Sequence, residues 1–201
     1  MTTSATSDRG AVAARIAAGG VVAIPTDTVY GLACDPADAA AVERVFSIKR
    51  RPAGLELVLL AADASALAEL AVLDGFTHRL ARAFWPGPLT LVVPAREPRA
   101  RLAIPRAGTS IGIRVPAHDL CRRLLSDTGP LATTSANRHG EPECCTASEV
   151  LERLGDDLDA VLEGGPCAGQ ASTIIDCTSM PPRVLRTGPL GAAELRPYLG
   201  G

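Results

Sequence analysis

Four short polar stretches carry the residue types that could do chemistry: Thr26–Tyr30, Lys49-Arg50-Arg51, Ser135-Ala136-Asn137 and Ser172-Thr173. A single arginine, Arg114, sits inside the apolar run 111–115 (IGIRV). Hydroxyl groups, backbone amides and cations are the groups that hold phosphate oxygens. A charge inside an apolar strand needs a partner or a cleft, because burying it alone is costly. The sequence holds no nucleophile elbow, no Walker P-loop and no G-x-G-x-x-G. A nucleotide, if bound, is bound in an uncommon way. Each stretch also has a plain structural reading. Thr26-Asp27-Thr28 and Ser135-Ala136-Asn137 could be turns, Lys49-Arg50-Arg51 a solvated helix end, and Trp85-Pro86-Gly87-Pro88 a structural corner.

Composition singles out two of these residues. Of 20 basic residues all but Lys49 are arginine, and Asn137 is the sole asparagine. A chain with that bias, rich also in Ala, Gly and Pro, keeps a lone Lys and a lone Asn where they are hard to replace. The 201 residues carry a net charge of −2, so no global positive field points to nucleic acid. With 47% hydrophobic and 21% charged residues the chain suits one folded domain rather than a disordered one. The start, MTTSATSDRG, lacks the basic and apolar regions of a signal peptide, and no apolar run approaches the length of a membrane span. Six cysteines without C-x-x-C spacing read as free thiols in a cytoplasmic protein, and the three scattered histidines suggest no zinc site.

The elements that must position these residues follow from pattern and punctuation. Helices are expected at 11–18, 37–50, 63–72, 75–84, 118–127, 146–154 and 192–199, with Thr146 and Glu149 at capping-box spacing. Strands are expected at 21–25, 57–61, 89–93, 111–115, 131–134, 160–163 and 173–177. The Arg- and Pro-rich stretch 95–108 reads as an exposed excursion, and 1–9 as a flexible N-terminus before a domain over 10–201. Interleaved strands and helices without strict alternation predict an α/β (α+β) single domain: a twisted mixed sheet flanked by helices. In such folds ligands bind beyond strand ends, where the polar stretches fall.

Seven stretches, in order, resemble the YrdC/Sua5 family: PTDTVYGL (25–32), KRRP (49–52), WPGPLT (85–90), IGIRVP (111–116), TTSAN (133–137), STIID (172–176) and VLRTG (184–188). The match is to the single-domain members. The resemblance implies a large, concave, basic cleft and the synthesis of threonylcarbamoyl-AMP and pyrophosphate from L-threonine, bicarbonate or CO2, and ATP with Mg2+. The product would feed threonylcarbamoyl modification of tRNA by downstream transferase machinery. Thr28, Arg114, Ser135 and Ser172 would hold threonine. Lys49 and Arg51 would face the phosphates as catalytic groups, with Ser110, Asn137 and Arg186 on the nucleotide side and Arg50 turned away. Asn137 is expected to bridge a phosphate oxygen and a neighbouring backbone group, and replacing Lys49, as an exposed helix-end residue, to cost little stability. The chain departs from long-form members at Leu55–Leu60, where they carry Asn and His, and at His139, where Ser is common. Direct RNA binding in the cleft, or carbamoyl transfer to another acceptor, are the alternatives.

Overall fold

The computed structural model describes residues 3–50, 57–96, 102–104 and 109–199. Ten strands form one mixed sheet: β1 (Ala5–Thr6), β2 (Val22–Ile24), β3 (Gly31–Cys34), β4 (Val58–Leu60), β5 (Leu89–Pro94), β6 (Ser110–Arg114), β7 (Leu131–Ser135), β8 (Ala160–Leu162), β9 (Thr173–Asp176) and β10 (Arg183–Arg186). Their order across the sheet is β1-β8-β2-β3-β7-β4-β6-β5-β9-β10. Six helices accompany them: α1 (Arg9–Ala17), α2 (Ala39–Lys49), α3 (Gly75–Phe84), α4 (Asp119–Thr128), α5 (Ala147–Leu154) and α6 (Ala192–Leu199).

Alternation along the strands sorts the core into two layers. Odd-numbered residues of β5 and β6 (Leu89, Leu91, Val93, Ile111, Ile113), with Leu57 and Leu59 around β4, pack with apolar residues of α2, α3, α5 and α6. On the other face Val22 and Ile24, Ala33, Leu60 and Leu131 pack with Val12 and Ile16 of α1 and Cys121, Leu124 and Leu125 of α4. That second layer covers only part of its face. Along β7 the same face turns from Leu131, in the core, to Thr133 and Ser135, where the helices no longer reach. Beyond this boundary the sheet is polar and open.

The helix starts follow their capping residues. Asp8, Asp38 and Asp74 accept backbone N–H groups at the starts of α1, α2 and α3, and His118 Nδ1 does so for α4. Thr146 Oγ1 accepts from Glu149 N at 3.2 Å, whereas the Glu149 carboxylate reaches back to Cys145 N at 2.6 Å, one residue earlier than the capping box expects. All six cysteines are free thiols. Burial pushes Cys34 and Cys121 up to about 12, which keeps them protonated and unreactive.

Several expectations are corrected. The segment before α1 is not a free arm: Ala5 and Thr6 pair with Val161 and Leu162 in parallel, a strand too short to leave a pattern. Strand β3 was not anticipated, although it forms a hairpin with β2 across Thr26–Tyr30. The helix expected at 63–72 shortens to a turn over Ser65–Leu67, because Val72 N bonds Pro94 O and Ala71 bridges Ala95 at the sheet edge. Within 95–108, the described residues include Ile104, which is buried, and Ala103, whose N–H reaches Pro36 O, so the stretch is not wholly exposed.

Helix α2 ends on Arg50, the sole described non-glycine residue with positive φ (50°). Left-handed backbone costs a side-chain-bearing residue roughly 1–2 kcal/mol, and glycine nothing comparable. Arg50→Gly is therefore expected to stabilise the protein by about 1 kcal/mol, a rise in Tm of about 2–4 °C in a thermal melt. Arg50→Ala should give no such rise.

Candidate active site

The open part of the sheet forms a cleft of about 300 Å3. Its lining includes Thr28, Lys49, Arg114, Ser135, Asn137, Ser172 and Arg186, drawn from the β2–β3 turn, the end of α2, β6, β7 and the β9–β10 hairpin. Among the described lining residues Lys49, Arg114 and Arg186 are cationic and none is acidic. Of the remaining expected residues, Arg51 lies outside the described residues. Ser110 does not line the cleft. It starts β6 on the same strand face as Arg114, four residues or about 13 Å away.

Arg114 is 5% exposed, and its guanidinium joins three segments. Nη2 pairs with Asp27 Oδ1 at 2.6 Å, Nη1 donates to Thr28 Oγ1 at 2.9 Å, and Nε donates to Gly87 O at 3.0 Å. Asp27 Oδ1 also accepts Ala117 N at 3.0 Å. Burial pulls the Arg114 pKa down from its ordinary value, and the adjacent Asp27 carboxylate opposes the shift. A guanidinium has five N–H donors. Three are used here, which leaves two for a ligand. Through Gly87 O the Trp85–Pro88 corner holds Arg114 in place.

Lys49 is placed differently from the sequence expectation. It is the last residue of α2, yet it is 3% exposed. Its ammonium donates to Ser135 O (2.7 Å), Asn137 O (2.9 Å) and Asn137 Oδ1 (2.8 Å). A helix end tucked under a neighbouring loop is not a solvated helix end, so its replacement is not cheap. Asn137, also buried, is engaged by protein. Oδ1 accepts from Lys49 and from Ser135 Oγ (2.6 Å), and Nδ2 donates to Glu141 O (2.6 Å). It therefore ties Lys49 to the loop after β7, in place of the expected bridge from backbone to phosphate. His139, given no role from the sequence, lines the cleft and donates its N–H to Lys49 O at 2.8 Å. Arg50 points instead to a separate cavity with Arg44 and Arg138.

Ser172 sits before β9, with its carbonyl held by Arg186 Nε (2.9 Å) and its hydroxyl touched by Arg186 Nη2 (3.1 Å) and Thr90 Oγ1 (2.8 Å). Gly188 permits this approach: a Cβ there would stand 2.2 Å from Ala171 O. Burial lowers the Arg186 pKa from its usual value. Sequence reasoning gave no role to Thr90 or Thr133, and carried Asp27 and Tyr30 only as members of the polar segment Thr26–Tyr30. The alternation of β5 could have signalled Thr90, which interrupts an otherwise apolar strand, whereas β7 (LATTS) is polar over its last three residues.

The described residues thus form one layered α/β fold with a polar cleft on the uncovered half of its sheet. The family model Sua5_yciO_yrdC, described as "Telomere recombination", matches residues 14–188, and the chain belongs to this family. It is 38% identical over 197 residues to a protein of Mycobacterium tuberculosis named "Putative threonylcarbamoyl-AMP synthase", covering 96% of this chain and 90% of that one. It is likewise 38% identical to the threonylcarbamoyl-AMP synthase of Pyrococcus abyssi, of which it spans 57%. The crystal structure of P. abyssi Sua5 complexed with L-threonine superposes with a TM-score of 0.87 at 37% identity, over 94% of this chain and 56% of that one. Escherichia coli YciO matches with a TM-score of 0.84 at 28% identity, covering 96% and 95% of the two chains.

Two stability outcomes follow from this geometry. Asp27→Ala strands a buried guanidinium and is expected to cost about 3 kcal/mol in chemical denaturation. Lys49→Met leaves several buried acceptors unpaired and is expected to cost about 2 kcal/mol, against near zero for an exposed lysine.

Proposed function

We propose that the protein is a threonylcarbamoyl-AMP synthase, acting on L-threonine, bicarbonate or CO2, and ATP. The observation that carries this reading is the convergence on one cleft of seven of the nine residues that the family resemblance assigns to the substrates, in a chain matched almost end to end by a relative so named. The two donors left on Arg114 suit a carboxylate, which a guanidinium fork holds in bidentate geometry. A cavity of about 300 Å3 lies at the small end of ligand sites. It has room for an amino acid, and a triphosphate nucleotide would extend from it along β6 towards Ser110.

In this mechanism the neutral amine of threonine attacks CO2 to give a carbamate. A carbamate oxygen then bonds to the α-phosphorus of ATP, and the bond from that phosphorus to the pyrophosphate oxygen breaks. The protein's part is to align the two substrates and to neutralise developing charge. Lys49, Arg51 and Arg186 would supply that charge, with Mg2+ entering on the triphosphate. Among the described residues no group of three His, Cys, Asp or Glu side chains could hold a metal unaided, which suits an ion carried by the phosphates. No described helix is long and apolar enough to cross a membrane.

The test is pyrophosphate release and mass-spectrometric detection of threonylcarbamoyl-AMP from ATP, L-threonine and bicarbonate. Product that requires all three substrates is the expected result, and its absence would sink the reading. Arg114→Lys is expected to raise the Kd for threonine roughly tenfold or more and that for ATP far less, since a point charge does not replace a planar fork. Equal losses for both ligands would make Arg114 a shared structural residue.

A further inference from the structure

Thr90 lies on β5, one of the two central strands beside Arg114, and is 1% exposed. Its hydroxyl makes one hydrogen bond among the described residues, 2.8 Å to Ser172 Oγ. Ser172 Oγ has one hydrogen and two lone pairs. Arg186 Nη2, which can only donate, fills one lone pair at 3.1 Å. Two arrangements remain for the hydroxyl pair. If Ser172 donates to Thr90, the Thr90 hydrogen is buried with no acceptor among the described residues, which folded proteins avoid. If Thr90 donates to Ser172, both lone pairs of Ser172 are filled and its own hydrogen takes the remaining tetrahedral direction. Both residues line the cleft, and Ser172 is the more exposed, at 5% against 1% for Thr90.

The backbone fixes this geometry. Thr90 and Ile174 pair between β5 and β9, and Thr173 N donates to Pro88 O at 2.9 Å. Arg186 Nε holds the Ser172 carbonyl from the other side. With the backbone so held, the Thr90 and Arg186 bonds place the Ser172 hydroxyl oxygen, and the direction of its hydrogen is set by which lone pairs are occupied.

We propose that Thr90 is a positioning residue of the amino-acid site: it donates to Ser172 and so turns the Ser172 O–H into the cleft, to donate to an oxygen of the bound amino acid. The inference rests on the reading of the cleft as a threonine site and deepens it. It assigns Ser172 the role of donor, so the ligand atom facing it is a carboxylate, carbamate or hydroxyl oxygen and not the ammonium group. Thr90 itself touches no reacting atom.

Thr90→Val keeps the shape of the side chain and removes its hydroxyl, and Thr90→Ser keeps the hydroxyl. Titration calorimetry with L-threonine and with ATP, pyrophosphate-release kinetics and a thermal melt are measured on both variants, on Ser172→Ala and on the Thr90→Val/Ser172→Ala double variant. Thr90→Val is expected to raise the Kd and KM for threonine about 3- to 10-fold, the range of one net hydrogen bond. The Kd for ATP should stay within about twofold, and Thr90→Ser should return to near wild type. In the Ser172→Ala background Thr90→Val should add nothing, because its effect passes through that hydroxyl. Unchanged threonine binding in Thr90→Val, an equal loss in Thr90→Ser, or additive losses in the double variant would each overturn the inference while an active wild type upholds the functional reading. A wild type that neither binds threonine nor releases pyrophosphate overturns both.

Discussion

The architecture of the cleft depends on a buried guanidinium. Arg114 stands on β6 beside the core residues Ile111 and Ile113 and is itself almost wholly buried. An isolated charge there would be untenable. Asp27, Thr28 and Gly87 answer it from two different loops, so satisfying one side chain fixes the β2–β3 turn and the Trp85–Pro88 corner relative to β6. These partners take three of its five N–H donors among the described residues.

A second cation does comparable work at the opposite wall. Lys49 draws the end of α2 against the loop after β7 by bonding its carbonyls and the Asn137 side chain. Main-chain and side-chain bonds reinforce the join, since His139 N reaches Lys49 O and Arg138 Nη1 reaches Ile48 O at 2.9 Å. Asp157 in turn anchors Arg138 at 3.0 Å. The site residues are consequently stability residues as well, and substitutions there move folding and binding together.

The cleft exists because the two helical layers are unequal. Four helices cover one face of the sheet, while α1 and α4 cover only the region around β2, β3, β7 and β4 on the other. Where cover ends, the outward residues change from Leu131 and Leu60 to Thr133, Ser135, Thr90 and Arg114. Hydroxyls tolerate such a half-enclosed surface because they find partners in one another, as Thr90 and Ser172 do.

The sequence by itself determined the fold class, most strands and helices and, through the family resemblance, seven of the residues that line the cleft. Periodicity registers which side chains are apolar, and punctuation by Gly and Pro registers where elements stop. The lone Lys49 and lone Asn137 were legible for the same reason, as residues that resist a compositional bias. Only the tertiary structure decided that Lys49 is buried, that Asn137 binds the lysine, that Asp27 is the partner of Arg114, and that Thr90 stands behind Ser172. These pairings join residues up to 88 positions apart, and no local pattern encodes which distant groups a fold brings within hydrogen-bond distance. The paired strand at Ala5–Thr6 and the shortened helix at 65–67 were hidden likewise. Their conformation is set by edges of the sheet supplied from elsewhere in the chain, and these override what the local residues prefer.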